Sequence, residues 1–279
     1  MEVPFEVANS EDQHKPWMIL VNGLFASRHS WSEVKAHLTK HFRVLTYDGR
    51  GQGEGPRPIG PYRFDEAVTD LKELLDSAGI FSAHFLGISQ GGRIALKFAE
   101  LFPGRVLGTI ACDTYSEITP LLGLKINSWL MAHRIGGALH RFDTAAPWIW
   151  GESLLTERPE LYEFYRTRSN VENPRVVERL IESSLDGHIN LEKIVTPVLY
   201  AVGEEDVLTP ISLHQKMKAR TRGSDLVVIR GGHASILEYP ASISEIILHR
   251  YFAMLDSRKL ASSEKSVSSK TFVTLEPLL

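Results

Sequence analysis

The stretch Gly87-Ile88-Ser89-Gln90-Gly91-Gly92 constrains this chain most. An apolar run, 84–86, leads into it. A helical pattern leaves it: Ile94, Phe98, Leu101 and Phe102 fall at i, i+4, i+7 and i+8 and stop at Pro103-Gly104. The spacing predicts a strand, a tight turn carrying Ser89, and a helix. Glycines at 87 and 91 suit that turn, because only residues without a side chain let the neighbouring backbone pass close. A serine so placed stands at a helix N-terminus, where the dipole and free N–H groups favour developing negative charge. Gly-x-Ser-x-Gly alone arises by chance in roughly one chain in ten of this length, so the weight falls on what accompanies it.

A chain of 279 residues, 43% hydrophobic and 23% charged, can bury one substantial core with an inserted lobe. A net charge of -3, without any Lys/Arg cluster, argues against a nucleic-acid partner. The start, Met1-Glu2-Val3-Pro4, lacks the features of a secretory signal. No apolar run is long enough to span a bilayer, so the sequence predicts no membrane partner and a cytoplasmic location. The single cysteine, Cys112, excludes an internal disulfide and a cysteine-based metal site.

Along the chain, a short strand at 3–7 and a polar turn at 9–16 precede the apolar run 17–21, which reads as a strand buried on both faces of a parallel sheet. A loop, Asn22-Gly23-Leu24-Phe25-Ala26-Ser27, and a helix with Trp31, Val34 and Leu38 on one face follow. Next come a strand at 42–47, a helix at 64–78, a strand at 83–88 and another at 106–111. From 113 to about 191 the strand rhythm gives way to helical patterns at 121–139, 151–155, 159–165 and 174–185, with Trp129, Trp148 and Trp150 among them. Strand and helix alternate again at 197–202, 211–220, 226–229 and 240–255. The expected architecture is α/β: a mostly parallel sheet flanked by helices, formed by 1–112 and 192–256, with a helical cap at 113–191. One N-terminal edge strand is expected to be missing. The Ser- and Lys-rich residues after 256 read as a flexible tail spanning 257–279, in which 271–275 has strand-like composition that a sheet edge could accept.

The order of motifs resembles the α/β-hydrolase superfamily over residues 17–255. Asn22-Gly23-Leu24 stands where the family has an oxyanion loop, Asp48-Gly49-Arg50-Gly51-Gln52-Gly53 where it has an Asp-x-Arg-Gly-x-Gly turn, and Gly87 to Gly92 where it has its nucleophile elbow. Gly203-Glu204-Glu205-Asp206-Val207-Leu208-Thr209-Pro210 and Gly231-Gly232-His233, followed by Glu238-Tyr239-Pro240, resemble its acid and histidine loops. Cys112-Asp113-Thr114 and the segment from Pro147 to Gly151 look most like the carboxylesterase and 3-oxoadipate enol-lactonase branch. Three departures stand out. Asn22 replaces the usual histidine, so other hydrogen bonds must hold the oxyanion loop. Gln52 and Gly55 replace the usual histidine and serine of the turn. Finally, only one strand is available before 17.

The resemblance implies that Ser89 attacks a carbonyl carbon, His233 relays its proton, and Asp206 orients the imidazole, with Leu24 and Gln90 N–H groups receiving the oxyanion. Glu205 competes with Asp206 for the acid role; Asp206 is favoured by its distance from Pro210. Phe25, Trp129, Trp148, Trp150 and Leu208 are candidate pocket residues, although cap tryptophans more often serve as lobe core. Of the other histidines, most fall on helix surfaces, and His84 on its strand reads as packed. Cys112 reads as a small core residue. Arg134 and Arg141 could recognise a carboxylate but are expected to lie on a solvated surface. The function implied is hydrolysis of a small ester or lactone without a cofactor or metal, by a monomer or homodimer. Within the fold, carbon-carbon bond hydrolysis is disfavoured by Ala234-Ser235 after His233, and Ser89 rules out chemistry needing a carboxylate at the elbow. A slow-turnover ligand sensor with an intact triad is the alternative from another class.

Overall fold

The computed structural model describes residues 2–169 and 173–268, with side chains as far as Leu260. The elements run β1 Phe5–Ala8, β2 Trp17–Val21, α1 Ser32–Leu38, β3 Arg43–Tyr47, α2 Phe64–Ser77, β4 Ala83–Ile88, α3 Gln90–Leu101 and β5 Val106–Cys112. Then come α4 Pro120–Ile149, α5 Glu152–Glu157, α6 Pro159–Arg168 and α7 Pro174–Ser184. The chain returns to the sheet through β6 Val198–Gly203, α8 Ile211–Arg220, β7 Asp225–Ile229, α9 Ser235–Glu238 and α10 Pro240–Ser268. The strands form one seven-stranded sheet in the order β1-β3-β2-β4-β5-β6-β7, parallel except for β1, which pairs antiparallel with β3.

Unbroken apolar runs such as Trp17–Val21 are explained by the two cores they separate. Ile19, Val21, Phe85, Ala111 and Tyr200 point into one with α2, α3 and α8. Their neighbours Met18, Leu20, Leu86, Ile110 and Leu199 point into the other with α1 and α10. Each side chain taken fully from water in these layers contributes about 1.5–3 kcal/mol.

The order reverses between β2 and β4: the chain leaves β2 for β3 on one side and returns to β4 on the other. In parallel sheets ligands bind at such a switch point, beyond the strands' C-terminal ends. Register aligns those ends, since Val21 lies beside Gly87, Ile88 beside Cys112, Cys112 beside Ala201, and Gly203 beside Ile229. The loops after β2, β4, β5, β6 and β7 therefore open at one edge.

The segment between β5 and β6 is helical. Its first stretch, α4, is two helices joined across a kink at Gly137, whose backbone is non-helical (φ 74°, ψ −162°), so a second helix reaching Ile149 follows the one expected at 121–139. Its inner face, with Leu122, Ile126, Trp129, Ala145, Val177 and Ile181, forms a third apolar cluster that also takes in Tyr115 and Leu208 from the sheet's loops. Among the described residues one strand precedes Trp17, and no helix is long and apolar enough to cross a membrane. A tail beginning at 257 is not what the backbone does: α10 continues to Ser268. Met254 and Leu255 pack against the second core just before the expected boundary. The 271–275 segment lies outside the described residues.

Candidate active site

At the end of β4 the chain reverses at Ser89, which adopts φ 52°, ψ −119° and is half-buried. A non-glycine residue in this region stores about 1–3 kcal/mol of strain, held here by the packing around it. The turn is tight enough to seat α3 directly on the loop after β2: a Cβ at Gly91 would lie 2.0 Å from the Val21 carbonyl oxygen and 2.6 Å from that of Asn22. This pushes the 22–24 loop against the serine. Gln90, the first residue of α3, has an N–H with no acceptor inside the helix.

The 22–24 loop is held by the groups that replace histidine. Asn22, wholly buried, donates to the Tyr47 carbonyl (2.8 Å) and accepts from the Trp31 indole N–H (2.7 Å). The Gln52 amide donates to the Gly23 carbonyl (2.7 Å). Asp48, at the start of the same turn, accepts the Arg28 and Glu54 amides (2.7 and 3.0 Å) and pairs with the Arg28 guanidinium, while Arg50 grips Asp70 with two nitrogens. The Asp48–Gly53 turn is a brace, with its charges engaged in structure.

Two side chains far from Ser89 in sequence line up beside it. The His233 Nε2 lies 2.9 Å from Ser89 Oγ and its Nδ1 lies 3.0 Å from Asp206 Oδ2. Asp206 also accepts the Leu208 and Thr209 amides (2.9 and 2.8 Å) and the Thr209 hydroxyl (2.8 Å). Burial opposes its ionised form, but His233 and these donors outweigh that and keep its carboxyl below the usual carboxylate range. With Asp206 ionised, Nδ1 carries the proton and Nε2 is free to accept from the serine. The acid and histidine loops are zipped together by Glu205 N–H to Gly231 O (2.9 Å) and Glu204 N–H to Ile229 O (2.7 Å). A Cβ at Gly203 would sit 2.3 Å from two carbonyls of the histidine loop. Glu205, the competing acid, turns away and accepts from Ser153 of the cap.

Of the pocket candidates, Phe25, Trp129, Trp148 and Leu208 share the cap cluster, with Trp129 and Trp148 stacked at 6.2 Å. Trp150 stacks instead on Tyr165 of α6 at 5.1 Å. Arg134 is exposed and paired with Glu178 and Glu182. Arg141 departs from the expected solvated position: it is buried, with its guanidinium 3.8 Å above the Phe25 ring. A helical-surface reading of histidines also fails for His214, which is fully buried, accepts the Thr114 amide at Nε2 and is driven down to about pKa 4 by burial. His84 packs against Tyr251 (2.8 Å to its hydroxyl), and Cys112 is buried at the end of β5.

Sequence reasoning missed four polar residues around these loops. Thr209 reaches both Asp206 and, at 3.2 Å, His233 Nδ1. Asp113, fully buried, accepts the Gly203 amide (2.8 Å) and the Ser235 hydroxyl (2.6 Å); burial, reinforced by nearby Asp206, pushes its carboxyl well up. Glu238 accepts the Gly232 amide. Arg93 lies between the Phe64 and Tyr115 rings and binds Gln90 Oε1 and the carbonyls of Ser184, Asp186 and Gly187 at the end of the cap. Thr209, Asp113 and Glu238 stood in quoted motifs without a role assigned to them; Arg93 makes contacts that no spacing announces.

This sheet, with its elbow and loops in this order, has the α/β-hydrolase fold, and the chain is similar to hydrolases of that fold. The family described as alpha/beta hydrolase fold matches residues 16–134. The chain is 28% identical to 3-oxoadipate enol-lactonase 2 of Acinetobacter baylyi, over 88% of this chain and 92% of that protein. It is 26% identical to the putative carbamate hydrolase RutD of Stutzerimonas stutzeri, over 88% and 94%. Among solved structures it is similar to MGS-M2, an alpha/beta hydrolase enzyme from a Medee basin deep-sea metagenome library. That match has a TM-score of 0.80 and 27% identity over 90% of this chain and 94% of the other.

Proposed function

We propose that the protein is a serine hydrolase of small carboxylic esters or lactones. The observation that carries this reading is the hydrogen-bonded line from Ser89 Oγ through His233 to Asp206, at the elbow between β4 and α3. Ser89 Oγ attacks the substrate carbonyl as its proton passes to His233 Nε2. Asp206 keeps the imidazole in the required tautomer and stabilises the imidazolium. The carbonyl oxygen becomes an oxyanion facing the Gln90 and Leu24 amides, and each such donor is worth about 3–4 kcal/mol of barrier. Collapse expels the alcohol, which takes the proton from His233, and leaves an acyl-serine. Water, deprotonated by the same imidazole, then attacks the acyl carbon and regenerates Ser89. The reaction needs no metal or cofactor.

The apolar cap cluster that takes in Phe25, Trp129, Trp148 and Leu208 supports a small apolar acyl portion. The activities in the relatives' names, enol-lactone and carbamate hydrolysis, share the acyl carbon attacked here and belong in the substrate panel. The test is turnover of p-nitrophenyl acetate and butyrate, simple lactones and alkyl carbamates by purified protein. Rapid hydrolysis that disappears in Ser89→Ala supports the proposal. Very slow turnover together with ligand-dependent melting would favour a sensor and overturn it.

A further inference from the structure

The cap meets the histidine and acid loops at one buried junction. The amide of His233 donates to the Ile149 carbonyl at the end of α4 (2.8 Å). The amide before it, Gly232 N–H, donates to both carboxylate oxygens of Glu238 (3.1 Å each). Glu238 is fully buried in α9 and takes a longer contact from the Gly151 amide of the cap (3.4 Å). On the other side of Gly151, Glu205 accepts the Ser153 amide (3.1 Å) and hydroxyl. A Cβ at Gly151 would lie 2.3 Å from Glu205 Oε2, 2.9 Å from the Gly232 nitrogen and 3.2 Å from Glu238 Oε2. Cap backbone, two carboxylates and the peptide carrying the histidine thus converge on one point.

Taking such a carboxylate out of water is costly unless hydrogen bonds compensate. No step of the proposed reaction uses it. Resting on the hydrolase reading above, we infer that Glu238 is a positioning residue: it fixes the Gly232–His233 peptide so that the imidazole meets Ser89, and couples that alignment to the seating of the cap through Gly151. An ionised carboxylate accepts on both oxygens. Protonation turns one oxygen into a donor facing an N–H, so the clamp weakens on the acid side of the Glu238 titration. The charged and titratable groups facing this junction are Glu205 of the acid loop, His233, Asp113 after β5, Arg158 of the cap with its Nη1 at the Glu238 carbonyl (3.5 Å), and Arg230, Glu157 and Tyr239 beyond it. Burial pushes Glu238 up to about 7, opposed by the Gly232 and Gly151 amides.

The experiment is Glu238→Gln in the full chain, assayed on p-nitrophenyl butyrate across pH 5.5–8.5 (a range chosen to bracket the titration). The variant places an NH2 group where protonation places an O–H. The expected result is a fall in kcat of about 10- to 100-fold with KM within about twofold, and loss of the ionisation near 7 from the kcat profile. Gly151→Ala, which forces the cap off both carboxylates without touching substrate, is expected to lower kcat in the same way. It keeps the inference falsifiable if Glu238→Gln does not fold. Wild-type kcat and an unchanged pH profile in a folded Glu238→Gln, or wild-type kcat in Gly151→Ala, would overturn it. A lower melting temperature alone, with kcat unchanged in the folded fraction, would also overturn it, because that is what a purely structural role gives. If the wild type turns over no ester, the hydrolase reading fails separately. Imidazole nitrogen NMR of His233 then still decides: displaced resonances in Glu238→Gln are expected, and identical spectra would overturn the inference.

Discussion

The loops at the sheet edge and the cap above them are held in opposite ways. Asp206 is fixed by two amides and a hydroxyl within its own loop, and that loop is stitched to the histidine loop by main-chain hydrogen bonds. Each of these has a narrow range of good geometry, so the chemistry proposed for this site would sit on a rigid frame. The cap's inner face is apolar, from Leu122 and Trp129 to Ile181, and a hydrophobic contact is non-directional. The difference teaches a division of labour: changes in the sheet loops should act on rate, and changes in the cap's apolar inner face on stability and substrate choice.

The strongest way to break that division is at its centre. Under the proposed reading Ser89→Ala should lower kcat on the order of a million-fold. Its melting temperature should match the wild type, since among the described residues the hydroxyl's side-chain partner is His233. Asp206→Asn should cost about ten-thousand-fold, because the amide favours the wrong imidazole tautomer. Stopped assays on p-nitrophenyl butyrate and a melting curve check both. A loss of this size from any cap residue would undo the comparison.

How much of this was legible in the sequence follows the same line. The sheet was readable because each strand's residues answer to a local rule: Trp17–Val21 and Ala83–Ile88 are continuous apolar runs that the two-sided burial of a parallel strand requires. Ser89, Asp206 and His233 were nameable because each sits in a glycine-marked turn whose order along the chain the fold dictates. Glu238, Asp113 and Arg93 were opaque because they find partners on distant segments, up to 122 residues away, as the Ser235 hydroxyl is from Asp113. Burial of Arg141 was missed for a related reason. A cation on a helix reads as solvated until the ring it covers, Phe25, is brought over from another loop.

Trp129→Ala sharpens the cap half of the comparison. The indole is buried and stacks on Trp148, so its removal leaves a cavity costing about 3 kcal/mol. Urea unfolding should show that loss. The ratio of kcat/KM for butyrate over acetate esters should change, while kcat for acetate stays within about tenfold of the wild type. An equal fall in kcat for both esters with an unchanged ratio would place Trp129 with the rate-setting loops instead.

Thr209→Val is the smallest expected effect and the finest probe of the rigid half. The hydroxyl donates to Asp206 Oδ2 and lies 3.2 Å from His233 Nδ1, while the Thr209 and Leu208 amides, untouched by the change, keep the carboxylate aimed. Losing one of several donors should cost about 1 kcal/mol, a fall in kcat of about fivefold. The pH dependence of stability has a definite sign. Asp206 is held below its ordinary 3.8, so it contributes stability that is fully present above 3.8 and lost as pH falls through its lower folded value. Removing a donor lets the folded value rise toward 3.8 and shrinks that contribution. Thr209→Val should therefore be less stable than the wild type near neutral pH, with the gap closing as the solution is acidified below 3.8. A gap that persists undiminished at low pH would mean the hydroxyl acts through packing, and the acid loop would then be held, like the cap, by contacts without direction.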